Sequence, residues 1–184
     1  MKYNILLILL FPLLSHSQRD SVHIKTDIFE ITYSEKFKEP LIVKYSVKCS
    51  DGTASRSGMD FYTTDSVITT TSNDYVHNDY DKGHMAPAAD FNCTKEMLHE
   101  TFTYLNCALQ DQYLNRGVWR LLEAHERELA KTDSVIVKII IVVDNTCKTL
   151  PSGAKVPTGF YKSITWSPSL SLFVALGGTS GNTS

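Results

Sequence analysis

Apolar and polar residues alternate in short stretches along most of this chain, and only one stretch carries a helical period. Ile28-Phe29-Glu30-Ile31-Thr32-Tyr33 alternates as a half-buried strand does. Leu41 to Val47 predicts a second strand, with Pro40 before it and Asp51-Gly52 after it as stop signals. Thr94 to Glu100 reads as a capped helical turn, and Thr101 to Leu105 as a strand of alternating threonine and aromatic residues. Ser134 to Asp144 is a nearly continuous β-branched run, which predicts a buried central strand. Two more strands are expected, through Ile164 to Trp166 and from Leu170 to Leu176. The amphipathic helix is expected over Asn115 to Lys131, docked by Val118, Leu121, Leu122 and Leu129. Beside that apolar face, Asn115, Trp119, Glu123 and Arg127 recur at steps of four and form a slowly drifting stripe whose polar members stay free. Gly58 to Tyr80, rich in Thr, Ser, Asp and Asn, has no period and is expected to wrap the surface.

This order of elements predicts one α+β domain with a mainly antiparallel sheet, which suits a length of 184 residues. The domain is expected to occupy residues 18–184 and to be short at its C-terminus. Met1-Lys2-Tyr3-Asn4, the apolar run Ile5 to Leu14 and Ser15-His16-Ser17 have the three parts of a secretory signal peptide, so residues 1–17 are expected to be removed. About ten apolar residues are half of what a bilayer span needs, so no membrane anchor is expected after cleavage. The protein is thus expected to be exported, to a periplasm or to the extracellular space. Export lets Cys49, Cys93, Cys107 and Cys147 pair, as two disulfides with three connectivities open. Their spacing does not suit zinc.

Charge adds a constraint. Without Lys2 the mature chain has 17 basic against 20 acidic side chains, whereas a tight, sequence-reading duplex binder is normally basic. Arg56, Lys82, Arg116, Arg120 and Arg127 nevertheless fall in or beside the segments that carry the chemistry. Such a balance suits a turnover enzyme that releases its product.

Those segments are Asp81-Lys82-Gly83-His84-Met85-Ala86-Pro87-Ala88-Ala89-Asp90-Phe91 and, about thirty residues later, Asn115-Arg116-Gly117-Val118-Trp119 with Glu123 and Arg127. A histidine directly after glycine and three residues before proline has little backbone freedom. Together with Asn106 and Gln110, the ordered set resembles the DNA/RNA non-specific endonuclease family, from about Arg56 to Tyr161. The resemblance implies a ββα-metal finger within the sheet and a divalent-metal-dependent endonuclease acting on DNA and RNA, with Mg²⁺ the expected cofactor and Mn²⁺ an alternative. It implies His84 as general base, Asn115 as the direct metal ligand, Glu123 orienting metal-bound water and Arg127 on a phosphate oxygen. Arg56, Lys82 and Asn106 are placed near substrate, and Asp81 positions its neighbours. Products would carry 5′-phosphates.

Imidazole titrates near neutrality, so a small shift leaves a neutral base, and a hard ion that keeps its waters suits a single amide oxygen. On its own, Asn115 would be a helix N-cap, and Glu123 and Arg127 a solvated pair. The sequence departs from the family at Lys82, where arginine is usual and the bidentate fork is lost, at Leu109 in place of proline, and at Val143-Asp144-Asn145 in place of Thr-Gly. A relative that binds nucleic acid without cutting it is the alternative these departures raise.

Overall fold

A computed structural model describes residues 20–167 and 170–177. The leader and the Gly/Ser/Thr tail lie outside the described residues. Six strands form one antiparallel sheet: β1 (Val22–Lys25), β2 (Phe29–Ser34), β3 (Glu39–Ser46), β6 (Ile136–Val142), β7 (Gly159–Ser167) and β8 (Leu170–Gly177), in the order β1-β2-β3-β6-β7-β8. Between β3 and β6 the chain leaves the sheet and forms a separate antiparallel pair, β4 (Tyr80–His84) with β5 (Cys107–Asp111), in which His84 lies opposite Cys107. A short helix α1 (Lys95–Glu100) lies between them, capped by Thr94 Oγ1 accepting from the Met97 amide. After β5 come α2 (Gln112–Leu114), a widened π-turn over Asn115–Trp119, and α3 (Arg120–Leu129). The pair β4-β5 followed by this helix is the expected finger, and the α+β class with a mainly antiparallel sheet holds.

The strand expected over Thr101 to Leu105 is instead a turn followed by a 3₁₀ segment, Tyr104–Asn106. Pairing starts at Cys107, because Asn106 ties its side chain to the backbone beyond His84 and so sets where the two strands can meet. The central β-branched run does lie mid-sheet, but burial alternates along it. Val137, Ile139 and Ile141 are buried, while Ile136 and Ile140 are exposed. One face of β6 packs on the core and the other is open among the described residues.

The helix is the larger correction. Val118 and Leu121, expected to dock it, are 42% and 58% exposed, whereas Trp119 and Glu126 are fully buried. The π-turn, with Gly117 at φ −96° and ψ −113°, breaks the single wheel on which that apolar face was drawn. Leu122 and Leu129 do pack, partly buried, against the core as expected, and α3 turns Glu126 inward beside them. The sheet has prepared for it: Lys162, flanked by Phe160 and Ile164 on the inner face of β7, is fully buried and lies 2.5 Å from Glu126 Oε1. Tyr45 on β3 donates to Glu126 Oε2 at 2.6 Å, and the Lys162 ammonium sits 4.3 Å from the Trp119 ring centroid. Around these groups packs the main core, including Ile31, Val43, Val137, Ile139, Phe160 and Ile164 from the sheet and Met85, Phe91 and Trp119 from above it.

A single disulfide, Cys49–Cys93, is formed among the described residues, while Cys107 and Cys147 are free and buried. It staples the segment after β3 to the turn after Asp90, whose carbonyl accepts from the Lys48 and Cys49 amides.

Two stability outcomes follow. Lys162→Met strands the Glu126 carboxylate in the core and lowers unfolding free energy by roughly 3–5 kcal/mol. Adding Glu126→Gln removes that charge while keeping an acceptor for Tyr45, so urea denaturation of the double variant recovers much of the loss. Paired Cys49→Ala and Cys93→Ala replacement, or reduction, costs roughly 2–4 kcal/mol in the same measurement.

Candidate active site

The inward-turned helix and the finger form two walls of an open groove of about 530 Å³, and the loop before β4 forms the third. Its lining brings together Arg56, Asp81, Lys82, His84, Asn115, Glu123 and Arg127, seven of the eight residues singled out in the sequence. Arg116 and Arg120 add two more guanidinium groups. The eighth, Asn106, stands apart. It is fully buried; its amide accepts from the Ala86 N–H at 2.8 Å and donates to the Ala86 and Thr101 carbonyls. With both ends of its side chain spent on backbone, it holds the chain beyond His84 and does not face the groove.

His84 ends β4, two residues after Lys82 on the same strand. Gly83 between them is required by close approach: a Cβ there would fall 2.4 Å from Gln110 Oε1 on the paired strand. The backbone carbonyl of His84 accepts from the Trp119 indole at 3.3 Å, which ties the finger strand to the helix. The imidazole keeps some surface on the groove, but Nε2 is sealed without a partner. That leaves Nδ1 as the nitrogen able to meet a water. Burial, with Arg56 adding repulsion, pushes its pKa down to about 3, so the ring is neutral at physiological pH.

Asp81, at the start of the motif, is the hub of a clamp. Arg116 grips it with both Nε and Nη2, at 2.8 and 2.6 Å, and Asn115 donates Nδ2 to it at 2.9 Å. Burial works against this carboxylate, yet the bonds from Arg116 and Asn115 outweigh it and hold the pKa below its usual value. Because the amide nitrogen of Asn115 faces Asp81, its oxygen is left for the groove. A hard oxygen donor of this kind fits a Mg²⁺ ion that retains most of its water. No group of three or more His, Cys, Asp or Glu able to cage a metal is present among the described residues; the Asn115 oxygen is the kind of donor that takes a hydrated ion.

Further along the helix, Arg127 Nη1 donates to Asp90 at 2.8 Å. Asp90 is fully buried, and its other oxygen has no partner. Burial and the neighbouring Glu126 raise its pKa. Arg127 thus reaches the groove as a tethered guanidinium. Glu123 is raised to about 7, chiefly by burial, with the Lys162 charge opposing the rise. Lys82 is held by Asp60 Oδ1 at 3.3 Å and lies over the Phe61 and Tyr104 rings, 5.4 and 5.6 Å from their centroids.

Sequence reasoning missed four contributors here: Asp60 and Phe61 from the surface loop, Asp90 as the tether of Arg127, and Lys162 beneath the helix. Lys162 had a readable signal, since period two puts it on the apolar face with Phe160 and Ile164. The loop residues had none.

Known proteins share this sequence pattern and this fold. The family described as DNA/RNA non-specific endonuclease matches residues 14–176. Mitochondrial endonuclease G of Bos taurus is 36% identical over 84 residues, covering 44% of this chain and 28% of that protein. A salivary endonuclease of Lutzomyia longipalpis is 44% identical over 62 residues, 34% of this chain and 14% of its own length. The alignments thus span under a third of these curated relatives. In three dimensions, a chain from the crystal structure of the EndoG/EndoGI complex, described as showing the mechanism of EndoG inhibition, superposes with a TM-score of 0.74 at 24% identity, over 85% of this chain and 74% of that one. With the family match running through nearly the whole chain and the fold shared, this protein belongs to the DNA/RNA non-specific endonuclease family.

Proposed function

We propose that this protein is an exported, divalent-metal-dependent endonuclease that hydrolyses phosphodiester bonds in DNA and RNA with little sequence preference. One observation carries the reading. His84 and Asn115, the latter with its amide nitrogen held by Asp81, line the same groove among five cationic side chains.

Hydrolysis needs a base for the water, positive charge where the phosphorane-like transition state develops it, and an acid for the leaving oxygen. His84 Nδ1 accepts the proton of a groove water. Arg127, tethered by Asp90, and Lys82, held by Asp60, meet the phosphate oxygens; Arg56 and Arg120 extend the positive track along the backbone. Asn115 would hold the metal, Asp81 fixes the amide that would do so, and Glu123 would orient the waters of the bound ion. When bound, Mg²⁺ supplies Lewis acidity for the developing charge and for the leaving oxygen. Products with 5′-phosphates follow if that oxygen is the ribose 3′-oxygen.

Contacts of this kind read the backbone and leave base edges alone, which accounts for the lack of sequence preference. Neither His84 nor the metal-holding amide requires a 2′-hydroxyl, so both sugars are accepted. The acidic overall balance does not oppose this, because the cations are gathered at one groove. The apolar leader and the Cys49–Cys93 disulfide support an oxidising, exported destination.

The deciding assay incubates the purified mature chain with plasmid and with RNA, in Mg²⁺ and in EDTA. Cleavage of both substrates in Mg²⁺ alone is expected, and His84→Ala lowers the rate about 10²- to 10⁴-fold while circular dichroism stays native. Asn115→Ala keeps the fold and loses Mg²⁺ binding by calorimetry. A folded wild type that retains nucleic acid and cuts neither substrate identifies a binding protein instead.

A further inference from the structure

The loop between Gly58 and Tyr80 sends one aromatic ring into the groove. Phe61 lies with its ring centroid 4.7 Å from the His84 imidazole, tilted by 50°. Phe102 meets the same imidazole edge-on, at 5.0 Å and 86°. Phe61 also rests on Phe102 and Tyr104, at 5.3 and 5.4 Å, and its face lies under the Lys82 ammonium. The loop is pinned where this ring leaves it. The Tyr62 amide donates to the Phe102 carbonyl, the Tyr104 amide donates to the Tyr62 carbonyl, and the Tyr62 ring stacks on His99 at 4.8 Å. Asp60, which holds Lys82, also accepts from the Phe61 amide at 2.7 Å.

We propose that Phe61 is a positioning residue that sets both the His84 imidazole and the Lys82 ammonium, so that one ring fixes the distance between base and phosphate-binding cation. The proposal rests on the nuclease reading of the groove. A histidine that works as a base is usually aimed by a hydrogen bond from its second nitrogen to a carbonyl or carboxylate. In this site Nε2 has no such partner among the described residues. The rings of Phe61 and Phe102 are what remain to orient the imidazole. Lysine, for its part, has a flexible stem and no planar fork; the cage of Phe61, Tyr104 and Asp60 supplies the placement that the side chain lacks.

The same enclosure affects protonation. The charged groups sharing the groove with His84 are Arg56 and Asp60 from the loop, Asp81 and Lys82 from its own strand, Arg116 from the π-turn, and Arg120, Glu123 and Arg127 from α3; across the strand pair stands the Cys107 thiol. Among these only Arg56 adds appreciably to the lowering that burial causes. Opening the Phe61 side to water therefore moves the imidazole pKa upward.

The test follows the His84 imidazole by NMR through a pH titration, in the mature wild type, Phe61→Ala and Phe61→Leu, alongside steady-state cleavage of DNA. Wild-type His84 stays neutral down to about pH 4. Phe61→Ala raises its midpoint by about one unit or more, moves the acid limb of kcat/KM the same way, and raises KM roughly two- to fivefold. Phe61→Leu fills the volume without offering a ring, so its midpoint stays near that of the wild type while KM remains raised. An alanine variant with unchanged midpoint and unchanged KM overturns the proposal. Should that variant not fold, a leucine variant with wild-type KM overturns it equally. If the wild type cuts nothing while the midpoint still moves in Phe61→Ala, the nuclease reading fails and the placement of His84 by Phe61 stands.

Discussion

The structure depends on how the charged side of one helix is buried. Glu126 in α3 points into the core, and isolated there it would be prohibitively costly; Lys162 and Tyr45 make its burial tolerable. At the next residue of the helix, Arg127 pairs with the fully buried Asp90. Together these contacts come from β3, β7 and the 3₁₀ segment Ala88–Phe91, three separate parts of the chain. They fix the roll of α3 about its axis more sharply than apolar packing could, because a charge displaced from its partner loses far more than a methyl displaced from a methyl. Once the roll is set, Glu123 and Asn115 have only one direction in which to project.

The groove that results has two unlike walls. On the helix side lie guanidinium groups and the Asn115 amide, with Asn115 and Arg116 held by Asp81 and Arg127 by Asp90. Aromatic rings make up the other side, with a histidine among them. Burial among these rings keeps the imidazole neutral, and neighbouring carboxylates hold Lys82, Arg116 and Arg127 in place. A site that needs a neutral base a few ångströms from concentrated positive charge benefits from this separation. Arg56, one of the cations of the groove, itself opposes protonation of His84, so in the proposed reaction phosphate binding and base catalysis draw on the same field.

The widened turn at Asn115–Trp119 connects these features. It lets Asn115 reach Asp81 on the finger while Trp119, four residues on, enters the core and bonds the His84 carbonyl. A regular helix through Gly117 would align the apolar residues Val118 and Leu121 with Leu122 and turn the polar stripe outward. In the folded protein Val118 and Leu121 are left on the surface, while Trp119 enters the core and Leu122 and Leu129 pack partly buried against it.

Local pattern alone determined the outline of this protein: the strands around Ile28–Tyr33 and Leu41–Val47, the central position of the β-branched run, and the motif that gathers Asp81, Lys82, His84, Asn115, Glu123 and Arg127. Period two and residue order are properties of neighbouring residues, so they are written in the chain itself. Which face of the helix is inside, where β5 begins, what Asn106 bonds, which cysteines pair, and why Phe61 and Asp60 belong to the site were decided only by tertiary structure. Each of these depends on a partner far away in sequence, Lys162 for Glu126, Ala86 for Asn106, Cys93 for Cys49 and His84 for Phe61. No periodicity encodes a contact between residues that meet only after the chain has folded.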